Sequence, residues 1–142
     1  MAYDMYQEII LQHYKSPQNF GALAEADLSG EESNPLCGDH IQMQLKLDAA
    51  RTLVENVRFS GDGCAICVAT SSLLTQKVKG MHLAAVEALT RDDVLRLIGI
   101  PLSPVRVKCA LTGFAALGRA LHPAAAAPTA PAEAATGGAA PT

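Results

Sequence analysis

The sequence predicts an α+β fold: a small antiparallel sheet of about three strands packed against an N-terminal helix and several C-terminal helices. Two observations carry this. Residues 40–48 alternate strictly between apolar and polar side chains, and a second alternating run follows after a short turn. On either side of this pair, apolar residues recur at helical spacing instead.

The elements follow in order. Met5, Tyr6, Ile9, Ile10 and His13 lie on one face of a helix over Tyr3 to Tyr14. Pro17 and Gly21 break it. Residues 22–32 are small and acidic, and read as irregular chain or a short edge strand. Ile41, Met43, Leu45 and Leu47 then line one face of a half-buried strand over His40 to Asp48, and Leu53 to Ser60 forms the next, with Val57 and Phe59 alternating. The two pair as a hairpin, and helices cover the Ile41/Leu45 face. Gly61-Asp-Gly63 turns the chain into a helix from Cys64 to Lys79, stopped by Gly80. His82 to Leu89 is a short apolar helix or helical turn. Thr90 caps a helix running to about Ile98, where Gly99 and Pro101 end it. Ser103 and Pro104 start a last helix to about Leu121 that buries Val105, Leu111, Phe114 and Leu117.

A chain of 142 residues fits one domain, placed at residues 1–122. Residues 123–142 are nearly all Ala, Pro, Gly and Thr, cannot build a core, and read as a disordered tail. Three Phe, three Tyr and no Trp make the core aliphatic. The net charge of −3, with no basic run, argues against a nucleic-acid surface. No uncharged apolar run reaches the roughly 18 residues of a membrane span. The N-terminus has no basic segment followed by an apolar one, so no signal peptide is expected and the cytoplasm is the expected location.

The chemistry rests on four cysteines, Cys37, Cys64, Cys67 and Cys109. In a reducing compartment, metal binding or thiol chemistry is a better reading than disulfides. Cys37 and Asp39 stand in a loop bent by Pro35 and Gly38 just before a strand, and residues two apart in extended chain point to one side. Thiolate and carboxylate both suit zinc or iron, although Asp39 taken alone reads equally well as a turn-stabilising side chain. Cys64 opens a helix, where unpaired N–H groups can donate to bound sulfur. Cys109 lies one or two turns inside the last helix, beside Lys108, a candidate stabiliser of a thiolate or an incoming persulfide. Cys64-Ala-Ile-Cys67 is formally a C-x-x-C dithiol, and a four-cysteine zinc site using Cys67 in place of Asp39 stays open. His13 reads as a packing or capping residue, His40 as a surface residue or an outer partner of Asp39, and His82 and His122 as surface residues.

At these residues the chain resembles the NifU/IscU/SufU-type iron–sulfur cluster assembly scaffolds. The resemblance runs from about Tyr6 to Leu121 and is carried by His13-Tyr14 with Pro17 and Asn19, Asn34-Pro-Leu-Cys-Gly-Asp39, Gly61-Asp-Gly-Cys-Ala-Ile66, Ala69-Thr-Ser-Ser72, Val78-Lys-Gly80 and Val105-Arg-Val-Lys-Cys109. It implies a site of Cys37, Asp39, Cys64 and Cys109 that holds Zn²⁺ or assembles a [2Fe–2S] cluster. It further implies sulfur arriving as persulfide from a pyridoxal-phosphate cysteine desulfurase, with Cys37 the acceptor and Asp39 the exchangeable ligand, and delivery to apo-proteins or carriers. Lys108 stands where the IscU branch has His, as in the SufU branch, whereas the short stretch from Gly80 to Cys109 matches IscU. Leu102-Ser-Pro-Val-Arg106 departs from the chaperone-binding stretch of the IscU branch.

The expected function is therefore sulfur acceptance with assembly or relay of clusters, and not an enzyme in the ordinary sense. The alternatives are a zinc-dependent sulfur-transfer partner without scaffolding and a purely structural zinc module. A zinc hydrolase or deaminase needs a general base beside an open metal position, and no H-x-E motif supplies one.

Overall fold

The computed structural model describes residues 2–35 and 38–122, with side chains from residue 7 onward. The elements are α1 (Ala2–Lys15), β1 (Leu28–Asn34), β2 (Asp39–Leu47), β3 (Val54–Asp62), α2 (Ala65–Val78), α3 (Leu83–Glu87), α4 (Arg91–Ile98) and α5 (Pro104–Leu121). The three strands form one antiparallel sheet in the order β1-β2-β3. This is the α+β arrangement that the alternation of residues 40–48 implied.

The core follows from the period of two in β2. Ile41, Met43, Leu45 and Leu47 are buried in one row, joined by Val54, Val57 and Phe59 from β3. α2 and α5 cover this face with Val68, Leu74 and Val78, and with Ala116, Leu117 and Ala120. Small residues on α5 let it lie close to β1, and the Arg119 guanidinium reaches Glu32 of that strand at 2.6 Å. A second cluster of Ile10, Ala69 and Ile98 fastens α1 to α2 and α4.

The polar residues around His13 stitch α1 to α2 instead of capping α1. The Ser72 hydroxyl accepts from the Gln18 N–H at 2.8 Å and bonds His13 Nδ1 at 2.7 Å. Asn19 donates from its amide to Thr75 Oγ1 at 3.1 Å. Burial lowers the pKa of His13.

One open reading is settled and two expectations need correction. Of the two readings of residues 22–32, the edge strand holds from Leu28 onward: β1 runs to Asn34, and its polar residues are tolerated because only Gly30 and Asn34 of it are buried. Gly61 and Asp62 continue β3, since they pair with Ile41 and His40, so the chain turns only at Gly63. Val105 is 51% exposed, because α5 enters the core from Cys109 onward and Val105 stands in the turn before it. Leu117 is buried as expected, and Leu111 and Phe114 are half-buried. Thr90 forms a capping box with Asp93, Gly99 ends α4 in the left-handed conformation, and Ser103 caps α5. The tail from residue 123 lies outside the described residues.

Backbone N–H donors hold three carboxylates below their ordinary pKa of 3.8: Leu47 on Asp27, Thr52 on Asp48 and Thr90 on Asp93. Their contribution to stability is complete above that ordinary value and is lost as pH falls through the lower folded values. Thermal unfolding followed from neutrality into strong acid should therefore show a falling midpoint below about pH 4. The Asp27→Asn variant should show a shallower acid limb than the parent; an identical acid limb would remove Asp27 from this account.

Candidate metal centre

Asp39 is the first residue of β2, not part of the preceding loop as the sequence suggested. It pairs with Asn34 at the end of the β1–β2 hairpin, and Gly38 closes the connection by donating its N–H to the Asn34 carbonyl at 2.9 Å. The alternation that buries Ile41 and Met43 also turns Asp39 inward, so the carboxylate is only 2% exposed at the end of an apolar row.

β3 ends beside this position, because Asp62 pairs with His40. The chain then passes Gly63 and reaches Cys64, the N-cap of α2, whose own side chain makes no capping bond. Its backbone N–H donates instead to Asp39 Oδ1 at 3.0 Å. A Cβ on Gly63 would lie 3.1 Å from Asp39 Oδ1 and 2.8 Å from Cys67 Sγ, so a residue without one is needed here. Cys109 completes the group from the inner face of α5 and is fully buried. One ligand atom from each of Asp39, Cys64 and Cys109 lies within 4.8 Å of the others.

The donor chemistry of this group fits a metal. Asp39 Oδ2 is buried and has no hydrogen-bond partner among the described residues. An unsatisfied buried carboxylate oxygen is costly unless something positive meets it. The fixed Oδ1 leaves Oδ2 as the available lone-pair donor, and two thiols stand beside it. Tetrahedral zinc, with bonds of ~2.3 Å to sulfur and ~2.0 Å to oxygen, requires ligands that converge in this way.

The other sequence candidates are not in this converging group. Cys37 belongs to the connection between β1 and β2 but lies outside the described residues. Lys108 is exposed on α5 next to Cys109, and its carbonyl accepts from the Thr112 hydroxyl at 3.0 Å. Cys67 is buried in the main core cluster and is not in the converging group. His40 is an exposed residue bonded to Ser33 at 2.7 Å and Glu31 at 3.0 Å, away from the inward-facing row. His82 and His122 are exposed, as expected. The sequence reading missed the bond from Cys64 N–H to Asp39. Its signal was present, since extending the Ile41–Leu47 alternation back by two positions buries Asp39.

The model of the NifU-like N-terminal domain matches residues 5–127. The chain belongs to this family. As a member, it is 32% identical to the zinc-dependent sulfurtransferase SufU of Bacillus subtilis, over 80% of this chain and 86% of that protein. It is 35% identical to the iron–sulfur cluster assembly scaffold protein IscU of Aquifex aeolicus, over 79% of this chain and 71% of that protein. The fold is shared with the crystal structure of the N-terminal part of a NifU-like protein from Brucella abortus, at a TM-score of 0.67 and 23% identity, covering 83% of this chain and 92% of that one. Among the described residues no helix is long and apolar enough to cross a membrane.

Proposed function

We propose that this chain is an iron–sulfur cluster assembly protein that accepts sulfur from a cysteine desulfurase and assembles clusters or relays them to apo-proteins. The observation that carries the reading is the convergence of Asp39, Cys64 and Cys109 around an unbonded carboxylate oxygen. Cys37, two residues before Asp39, is the proposed fourth ligand and the sulfur acceptor.

The roles follow from ligand chemistry. Cys64 and Cys109 are soft donors suited to zinc or iron–sulfur clusters. Asp39 is a hard donor among soft ones and is the ligand proposed to exchange when cargo leaves. Its Oδ1 stays bonded to the Cys64 N–H, so the carboxylate is held in register while Oδ2 lets go. Sulfur enters by thiol exchange. The Cys37 thiolate attacks the outer sulfur of a desulfurase persulfide, forms a persulfide on Cys37 and releases the desulfurase thiolate. Lys108, exposed beside Cys109, supplies positive charge near the incoming persulfide. Zinc bound by these residues would keep their thiols deprotonated.

The kinship to a zinc-dependent sulfurtransferase favours a second reading, sulfur transfer with zinc resident and no cluster built. Metal and acid-labile sulfide analysis of the chain purified without oxygen separates the two. Iron with sulfide supports scaffolding, zinc alone supports sulfur transfer, and neither metal nor sulfide contradicts both. Replacing Asp39 with Ala is expected to slow cluster release to an apo-acceptor by roughly 10-fold or more, as loss of an exchangeable ligand implies. Unchanged transfer kinetics would remove Asp39 from that role.

A further inference from the structure

Two polar side chains are buried at the end of the sheet where the metal site lies: Asp39 at the start of β2 and Asn34 at the end of β1. They are direct cross-strand partners. The side chains of such a pair stand on one face of the sheet, with Cβ atoms ~4.5–5.5 Å apart. Here it is the inner face. Asp39 continues the buried row of Ile41 and Met43, and Asn34 shares its parity with Gly30, the other buried residue of β1. The Asn34 carboxamide therefore stands beside the Asp39 carboxylate, on the face where Cys64 and Cys109 converge on it. Other buried polar side chains are engaged elsewhere. Ser72 and Thr75 bond the segment of His13, Gln18 and Asn19, and Thr112 bonds the Lys108 carbonyl.

Thiolates and carboxylates are acceptors, and a metal satisfies them without any hydrogen-bond donor. A sulfide carried on that metal is different. It is a further anion in a buried place, and a buried anion is costly unless N–H groups meet it. The Cys64 N–H is already engaged by Asp39 Oδ1 at 3.0 Å. An asparagine side chain carries two N–H donors on a short stem. Asp39 Oδ2 takes no hydrogen bond from any described residue, this neighbour included, so that oxygen is kept for the metal.

We propose that Asn34 is a sulfide-binding residue of the site, its side-chain N–H donating to a metal-bound sulfide beside Asp39. The inference rests on the scaffolding half of the proposed function. Asp39 Oδ2 meets the metal and Asn34 meets the sulfide, so one cross-strand pair holds the cargo by both of its charges. Bare zinc brings no sulfide and gains nothing from the amide. Asn34 thus favours a metal–sulfide cargo over a lone metal ion.

The test reconstitutes the full chain without oxygen from ferrous iron and sodium sulfide, as the parent and as Asn34→Leu, which keeps the shape and removes the donor. Hydrogen bonds to sulfur tune the potential of an iron–sulfur cluster, and losing one disfavours the more negative reduced state. Asn34→Leu is expected to shift the potential to more negative values and to lose iron to a chelator at least ~10-fold faster. Its zinc affinity is expected to equal the parent's. An unshifted potential would overturn the proposal. So would a fall in zinc affinity in step with the loss of iron, since Asn34 would then be a metal ligand or a support of the hairpin alone. A second measurement uses the parent only. Asparagine carrying heavy nitrogen at its side-chain amide enters at Asn19, Asn34 and Asn56. Asn19 bonds Thr75 and Asn56 pairs with Lys46, so Asn34 is the one at the site. Magnetic coupling between the reduced cluster and a labelled amide is expected. Its absence overturns the proposal even where Asn34→Leu fails to fold. A parent that retains no sulfide overturns the scaffolding reading and this inference together, whereas a cluster with no coupled amide overturns this inference alone.

Discussion

Replacing Cys109 with serine is expected to lower the zinc affinity of the chain by about a hundred-fold or more, if it is one of the proposed ligands. Structural zinc binding in small domains is worth ~10–16 kcal/mol, so one of four ligands carries ~3 kcal/mol, and 1.4 kcal/mol is a factor of ten. Serine keeps nearly the volume of cysteine, which matters because Cys109 is fully buried and packed in the main cluster. The fold should therefore survive: a buried hydroxyl in place of a thiol costs ~1–3 kcal/mol. The two effects separate cleanly. Competition against a chromophoric chelator reads the affinity, and thermal unfolding of the metal-free chain reads the fold. An affinity within a factor of a few of the parent would show that Cys109 is a core residue and nothing more.

The largest effect on stability is expected at Gly30. This residue lies in β1 directly under α5. A Cβ there would stand 2.3 Å from the Ala120 nitrogen, 2.4 Å from the Ala116 oxygen and 2.8 Å from the Arg119 carbonyl carbon. All three are backbone atoms of a helix, so no side-chain rotation relieves the clash, and α5 must move off the sheet. Overpacking usually costs ~1–3 kcal/mol when side chains can adjust. Gly30→Ala should cost at least ~3 kcal/mol, a drop of ~12 °C or more in the unfolding midpoint of a domain this size. Because α5 also carries Cys109, the same variant should lose zinc affinity although it touches no proposed ligand. A midpoint within a few degrees of the parent would mean that α5 and β1 are not held this closely.

These two residues mark what the sequence could and could not convey. The strand pair, the helix starts at Thr90 and Ser103 and the stop at Gly99 were legible, because each is set by local chemistry: alternation, a side-chain cap, a left-handed glycine. β1 was harder to read, since its seven residues carry only one large apolar side chain and its strand character comes from pairing with β2. Gly30 gave no signal at all, because its constraint is the backbone of a helix some ninety residues away. Val105 was misjudged because helical periodicity finds a face but not where along the helix the core begins. At the site, the Cys-Gly-Asp, Gly-Cys-Ala-Ile and Lys-Cys blocks point through family resemblance to the segments that carry Asp39, Cys64 and Cys109. Their convergence depends on the hairpin register that sets Asp62 beside His40, and on Cys64 N–H meeting Asp39, which are tertiary facts.

The central claim is the donor set: three sulfurs from Cys37, Cys64 and Cys109 and one oxygen from Asp39. X-ray absorption at the zinc edge of the zinc-loaded full chain measures it directly, since Zn–S and Zn–O shells near ~2.3 Å and ~2.0 Å are resolved. The account predicts three sulfurs and one oxygen, and four sulfurs in Asp39→Cys. Four sulfurs in the parent chain would put Cys67 in the place of Asp39 and contradict it.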